Sequence, residues 1–245
     1  MKVKGTLGKR EIIAIGVFCT IFFVIAVLAV VVRRNKEPDW LVYADSLDVV
    51  VAEVNQQELT LRDLAFYIAY DEQVVEDQAE IYNPEDTTRY WNVCTNGEYI
   101  RLMAKDATMQ KAIHDEIFYQ MALKEQVSLT EEERDTMEDS ANLFWNSIMY
   151  GDKLERLGVS EEDLNATIEK MAIAQKYQAA YAQRELLEMS DYDIATVWYE
   201  KLLAEQDYQI YEDVWDKVNY GDITLTHING VFNEPDSRER SSGNE

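Results

Sequence analysis

The sequence predicts a mainly α-helical protein, with an N-terminal transmembrane helix followed by a helical domain that carries a short strand element. Three observations carry this prediction. Residues 12–32 (IIAIGVFCTIFFVIAVLAVVV) run without a charge for the roughly 20 residues an α-helix needs to cross a hydrocarbon core. Further on, three capping boxes, Thr60/Asp63, Thr130/Glu133 and Ser160/Asp163, each precede apolar residues at helical spacing. One β-branched run at 49–54 (VVVAEV) has the length and composition of a strand.

The N-terminal end is basic on both sides of the apolar run. Lys2, Lys4, Lys9 and Arg10 precede it, and Arg33, Arg34 and Lys36 follow it, so the positive-inside rule is close to a tie. The acidity of the rest of the chain favours 1–11 in the cytoplasm, 12–32 as a signal anchor and 33–48 as a linker to an extracytoplasmic domain. A cleaved signal peptide is the weaker alternative, because the apolar core of one is usually about 7–15 residues and no small-x-small site closes this run. Cys19 follows Val17-Phe18, which is not a lipidation context. Cys94 is the only other cysteine, and the two are expected on different sides of the membrane boundary, so no internal disulfide is predicted.

The first 36 residues hold seven of the 23 Lys and Arg residues and one of the 47 acids. The remainder therefore carries 16 basic and 46 acidic residues, a net charge of −30. Phosphate contacts need Lys and Arg, so this balance argues against nucleic acid as a partner and against close docking on an anionic membrane. It keeps a domain soluble, and it attracts cationic polypeptides. With 47% hydrophobic and 11% aromatic residues, the chain can still bury a core.

Within the helical domain, 49–220, the strand meets a polar break at Asn55-Gln56-Gln57 and leads into a helix from Thr60 to about Gln78. That helix carries Leu61, Leu64, Ala65 and Ile68 on one stripe. Pro84 breaks the pattern, and Asn96-Gly97 marks a turn after the aromatic Tyr90-Trp91. A second helix is predicted from about 105 to 126, with Met109, Ile113, Ile117 and Met121 four apart. A third, opened by Thr130, places Met137, Ala141, Phe144, Trp145 and Ile148 on one face. A fourth, opened by Ser160, runs to about 187 with Leu164, Ile168, Met171, Ala182 and Leu186 inward. A fifth groups Ile194, Val197, Trp198 and Leu202, and a shorter one is expected over 208–218. Residues 221–232 alternate like a strand, and 233–245 have the composition of a disordered tail.

Several of these stretches resemble the SurA/PrsA-type, parvulin-associated extracytoplasmic chaperones. AEVNQQELTLRDL is similar to the family's opening A-x-V-N-G-x-x-I-T-x-x-E-L, with Gln56 at its usual Gly and Asp63 near its Glu. ALKEQVSLTEEE is similar to A-x-x-x-G-I-x-V-T-D-E-E, with Gln126 at the Gly. LGVSEEDL and a tryptophan-containing loop near Gly97 fit as well. The resemblance covers about 49–228. It implies a helical chaperone-like fold followed by a prolyl isomerase domain, whose first strand ITLTHI resembles. Only 18 residues follow His227, whereas such a domain needs about 100. The expectation is a foldase-like protein without the isomerase, hence not an enzyme. It would bind unfolded or exported polypeptides through apolar contacts, or serve as a docking module for one protein of a cell-envelope assembly. The chain's cysteine usage and likeness to exported proteins suggest a bacterial surface.

The residue chemistry points the same way. His114 reads as an exposed helical residue and His227 as a strand residue rather than a base. No metal or cofactor is expected, because two histidines and scattered acids match no ligand spacing. No calcium loop, phosphate loop or nucleophile elbow is present. The acids at 131–133 and 161–163 suit helix N-termini, where each stabilises by about 0.3–1 kcal/mol. Asn165-Ala-Thr167 is a sequon by chance, lying in a predicted helix. Met109, Met121, Met137, Met149 and Met171 suit a core, and flexible methionine also suits a surface that adapts to varied clients. The candidate client-binding residues are Trp91, Phe144, Trp145 and Trp198, as groove or core-edge aromatics.

Overall fold

The computed structural model describes residues 40–227. The β-branched run forms strand β1 (Val50–Val54) and ends at Asn55 and Gln56, with φ of 50° and 72°. Two consecutive left-handed residues make the tight turn whose twist suits a hairpin. The chain therefore returns as β2 (Gln57–Thr60), pairing Val54 with Gln57, where only a polar break was expected. Thr60 ends the strand and opens helix α1 (Leu61–Tyr82). Its backbone N–H and its hydroxyl both donate to Asp63 Oδ2, at 2.8 and 2.6 Å. The predicted stripe of Leu61, Leu64, Ala65 and Ile68 is wholly buried.

A short helix, α2 (Thr88–Trp91), and a two-stranded hairpin, β3 (Cys94–Thr95) and β4 (Glu98–Tyr99), occupy the segment after Pro84. The hairpin turns at Asn96-Gly97, both at positive φ. Helix α3 (Ile100–Lys124) buries Met109, Ile113 and Ile117. It closes in a left-handed turn at Gln126, φ 57°. There Val127 N–H donates to the Ala122 carbonyl (2.9 Å) and Gln126 N–H to Leu123 (3.1 Å). Helix α4 (Glu131–Ser147) starts in the Thr130/Glu133 box, with Thr130 N–H donating to Glu133 Oε2 at 2.7 Å. Helix α5 (Lys153–Leu157) ends at the left-handed Gly158, and the Ser160/Asp163 box opens α6 (Glu161–Arg184). The domain is mainly helical, with α3 and α6 as its central pair and α1 packed on both.

Four expectations change in the last third. Helix α6 ends before Leu186, which takes φ 59° and is 92% exposed instead of lying on the buried stripe. A 3-10 turn (Met189–Tyr192) follows, and Thr196 caps α7 (Val197–Leu203) by accepting from Tyr199 N–H. This late start sets the phase of the helix. Tyr199 and Leu202 are buried, while Val197 and Trp198, grouped with Leu202 in the sequence, are 64% and 42% exposed. The expected helix at 208–218 is instead β5 (Tyr208–Ile210) followed by α8 (Glu212–Trp215). The free edge of β1 recruits Tyr208–Ile210 into an antiparallel sheet of order β2-β1-β5, and edge pairing outweighs the propensity of so short a helix.

Residues 221–227 form no strand. Their backbone N–H groups turn to the carboxylate of Glu72 on α1, and their carbonyls to Arg156 on α5. The chain here is a strap over the helices, with Ile223 and Leu225 buried beneath it. No helix among the described residues is long and apolar enough to cross a membrane. The predicted spanning segment 12–32, residues 33–39 of the linker, the end of the strand-like segment (228–232) and the tail 233–245 lie outside the described residues.

Candidate functional site

Helix α4 is the least embedded of the long helices. Of its seventeen residues only Phe144 is buried, and it leans mainly on α6. Polar staples hold it there: Arg134 pairs with Glu169 (2.7 Å), Lys176 with Glu133 (2.6 Å), and Trp145 Nε1 donates to Asn165 Oδ1 (2.9 Å). The hydrogen bond from Lys176, and then that from the Thr130 backbone, hold the Glu133 carboxyl down at about 2. An ion pair this exposed adds little to stability, so Phe144 is the anchor. Its ring packs 4.6 Å from Phe66 of α1.

Between α4, α6 and α1 this arrangement leaves an apolar groove of about 640 Å³. Phe66, Phe144, Met137, Met171 and Ile168 line it, and Leu143, 68% exposed, sits at its edge. Its size is in the range of ligand-binding clefts. Three methionines face it, Met137, Met171 and Met189, and their unbranched side chains repack around varied apolar shapes.

A second cavity of about 560 Å³ adjoins the first, sharing Phe66, Tyr70, Met171, Gln175 and Met189. It is built differently. On α3, His114 is buried, not exposed as its sequence neighbours suggested. Its Nε2 donates to the Tyr192 carbonyl (3.0 Å) and its Nδ1 lies 2.9 Å from Asp115 Oδ1. Asp115 also accepts from the Tyr67 hydroxyl (3.0 Å). Burial, and then the Asp115 charge, push the Tyr67 hydroxyl well above its usual range. Lys111 reaches Asp71 at 2.5 Å, and Thr108 donates to the same carboxylate at 2.8 Å. Gln178 on α6 donates to the Met189 carbonyl (3.1 Å) and to Asp193 (3.3 Å). Both nitrogens of His114 are thus committed to protein acceptors. The imidazole ties α3 to the 3-10 turn and is not a free base.

The four aromatic residues singled out from the sequence separate. Phe144 lines the apolar groove. Trp145, beside it on α4, is half-buried and turned to Asn165. Trp91 is a core residue, fully buried at the end of α2, with its Nε1 donating to Glu76 (2.7 Å) and its ring near Tyr220 and His227. Trp198 lies outside both cavities, with Lys201 Nζ 4.3 Å from its ring centroid. Sequence reasoning passed over Phe66, Tyr70, Asp71, Lys111 and Asp193. One signal was available: YIAYDEQVV sets two acids inside an apolar helical stretch, and buried acids require partners. Among the described residues, no group of three or more His, Cys, Asp or Glu is placed to hold a metal ion.

These features define a helical domain with a small antiparallel sheet and a two-part groove. In comparisons with protein-family models, curated proteins and solved structures, none matches this chain.

Proposed function

We propose that this protein is a membrane-anchored, extracytoplasmic, chaperone-like protein that holds apolar stretches of unfolded or exported polypeptides. It acts by binding, with no bond chemistry. The observation that carries this reading is the apolar groove between α1, α4 and α6, walled by a lightly anchored helix and lined by three methionines and two phenylalanines. The apolar run 12–32 and the acidity of the chain beyond residue 36 support the anchor, and the resemblance to SurA/PrsA-type chaperones agrees with the groove's chemistry.

The test uses the full chain in lipid nanodiscs, with empty nanodiscs and a matched acidic protein as controls. Aggregation of two unrelated, chemically unfolded proteins is followed by light scattering. Protection of both, lost in Leu143→Glu at the groove edge, is the expected result. Protection of neither rejects general holding and leaves a docking module for one envelope partner.

A further inference from the structure

We infer that the second cavity is a seat for a lysine or arginine side chain, so that the preferred partner is an apolar polypeptide stretch bordered by a basic residue. This rests on the apolar groove being a polypeptide site and adds to it the chemistry of the adjoining cavity.

The charges around that cavity are unequal. Asp71, Asp115 and Asp193 face one lysine, Lys111, and one histidine, His114. Asp71 and Asp115 have both oxygens engaged by protein donors. Asp193 is exposed and receives one long side-chain hydrogen bond, 3.3 Å from Gln178, which leaves its carboxylate most of its accepting capacity.

The protein's own Lys111 shows how a cation sits here. Its ammonium lies 2.5 Å from Asp71 Oδ1 and 5.8 Å from the ring centroid of Tyr70, and Tyr70 lines both cavities. A carboxylate beside an aromatic face is a favourable place for a cation. Lys111 is 42% exposed in its side chain, so it can swing out or share the seat. The boundary between apolar and polar compartments thus falls where a cation is already accommodated.

The wider field selects the occupant. With a net charge of −30 beyond residue 36, a second copy of this chain and an anionic lipid surface are both repelled from the groove. A basic segment is drawn to it, and its apolar part has the adjoining groove to enter.

The experiment uses the full chain in nanodiscs and three short fluorescent peptides sharing one apolar core, with Lys, Gln or Glu at the ends. The Lys peptide is expected to bind about fivefold more tightly than the Gln peptide and the Glu peptide more weakly than either. Asp193→Asn, at an exposed site, brings the Lys and Gln peptides to within about twofold of each other. Lys111→Met vacates the seat and strengthens the Lys peptide alone, with the melting temperature measured to confirm the fold. Equal binding of all three peptides overturns the seat and leaves the apolar groove standing. A Lys preference untouched by Asp193→Asn also overturns it, since the general field then explains the preference. Binding of none of the three rejects the groove and the seat together.

Discussion

Glu72 Oε2 accepts both the backbone N–H of Thr224 at 2.7 Å and its hydroxyl at 2.6 Å, across 152 positions of sequence. The other oxygen accepts from Gly221 (2.6 Å) and Ile223 (3.2 Å). A wholly buried carboxylate thus supplies the acceptors that a neighbouring strand would otherwise offer to 221–224. Burial raises the carboxyl above its usual value, against the pull of these four hydrogen bonds. In Glu72→Gln the amide nitrogen must face donors whichever way it turns. The expected cost is about 2–4 kcal/mol, read as a lower denaturant midpoint, with faster proteolysis within 219–227. An unchanged midpoint would mean that the clasp contributes nothing net.

The same strap ends in a charged triad whose pH dependence has a definite sign. His227 Nδ1 lies 2.8 Å from Asp222 and Nε2 3.3 Å from Glu76. Burial alone would lower the imidazole, but hydrogen bonds to the two carboxylates outweigh it and raise it to about 9. The folded value is above the unfolded one, about 6.5. Its stabilisation is therefore complete below about pH 6.5 and lost as pH rises through about 9. The carboxylates are 15% and 16% exposed, so partial screening limits the effect to on the order of 1–2 kcal/mol. Melting temperature should fall between pH 6.5 and 9 in the native protein, and His227→Gln should flatten that slope. A slope unchanged in the variant would place its origin elsewhere.

Gly158 is held where no side chain fits. It caps α5 at φ 69°, and a Cβ there would meet Ala44 Cβ at 2.7 Å and Ala44 Cα at 2.9 Å. Backbone cannot yield as a flexible side-chain tip can. Gly158→Ala is expected to cost about 2–4 kcal/mol, from overpacking together with left-handed strain. Gly97, at φ 86° with open space around its added Cβ, is the control and should lose only about 1–2 kcal/mol on the same substitution. Equal losses at the two sites in urea unfolding would rule out the Ala44 contact as the cause.

Six non-glycine residues among those described take positive φ, and three of them are Gln56, Gln126 and Leu186, at φ 72°, 57° and 59°. Gln126 and Leu186 close α3 and α6 in the same way, since Leu187 N–H returns to the Ala182 carbonyl as Val127 N–H returns to Ala122. Replacing each by Gly removes strain of about 1–2 kcal/mol and adds unfolded-chain entropy worth about half of that. Each variant should gain about 0.5–1 kcal/mol, and the Gln126 and Leu186 changes are expected to couple, because Glu125 and Arg184 beside them pair at 2.8 Å. Loss of stability at any one of them would show that its side chain makes a compensating contact.

These same positions mark the limit of what the sequence discloses. The helix starts at Thr60, Thr130 and Ser160 were legible because a cap and its partner lie three residues apart, and the stripe Leu61/Leu64/Ala65/Ile68 because period alone fixes it. Leu186 continued the stripe of α6 in projection, yet a turn closed by backbone hydrogen bonds throws it into solvent. The phase of α7 follows from Thr196, whose capping role shows only once the 3-10 turn before it is in place. The Glu72 clasp, the β1–β5 pairing and the His114–Tyr192 tie join residues 78 to 152 or more positions apart, and no local pattern encodes such pairings. The groove was half legible: Phe144 and the methionines were visible, but the wall they form depends on how α4 leans on α6.

The assignment of the groove to α1, α4 and α6 separates residues that the sequence alone grouped together. Trp198 is exposed but lies outside both cavities, whereas Leu143, Phe144 and Met171 line the apolar one. Trp198→Ala should leave protection of an unfolded client unchanged. Leu143→Glu and Met171→Glu place a charge where an apolar segment must lose water, an arrangement that costs several kcal/mol when unpaired, so client protection should fall at least tenfold. Leu143 is 68% exposed, so the melting temperature of its variant should stay close to that of the unmodified protein, whereas Met171 is half-buried against the core and its variant should melt lower. Trp91→Phe is expected to do the reverse. It removes the indole N–H donor to Glu76 inside the core, lowering stability by about 1–3 kcal/mol while sparing protection measured well below the melting temperature. If Trp198→Ala abolished protection and the two groove variants did not, the client surface would be on α7, and the groove between α1, α4 and α6 would have to be given up as the binding site.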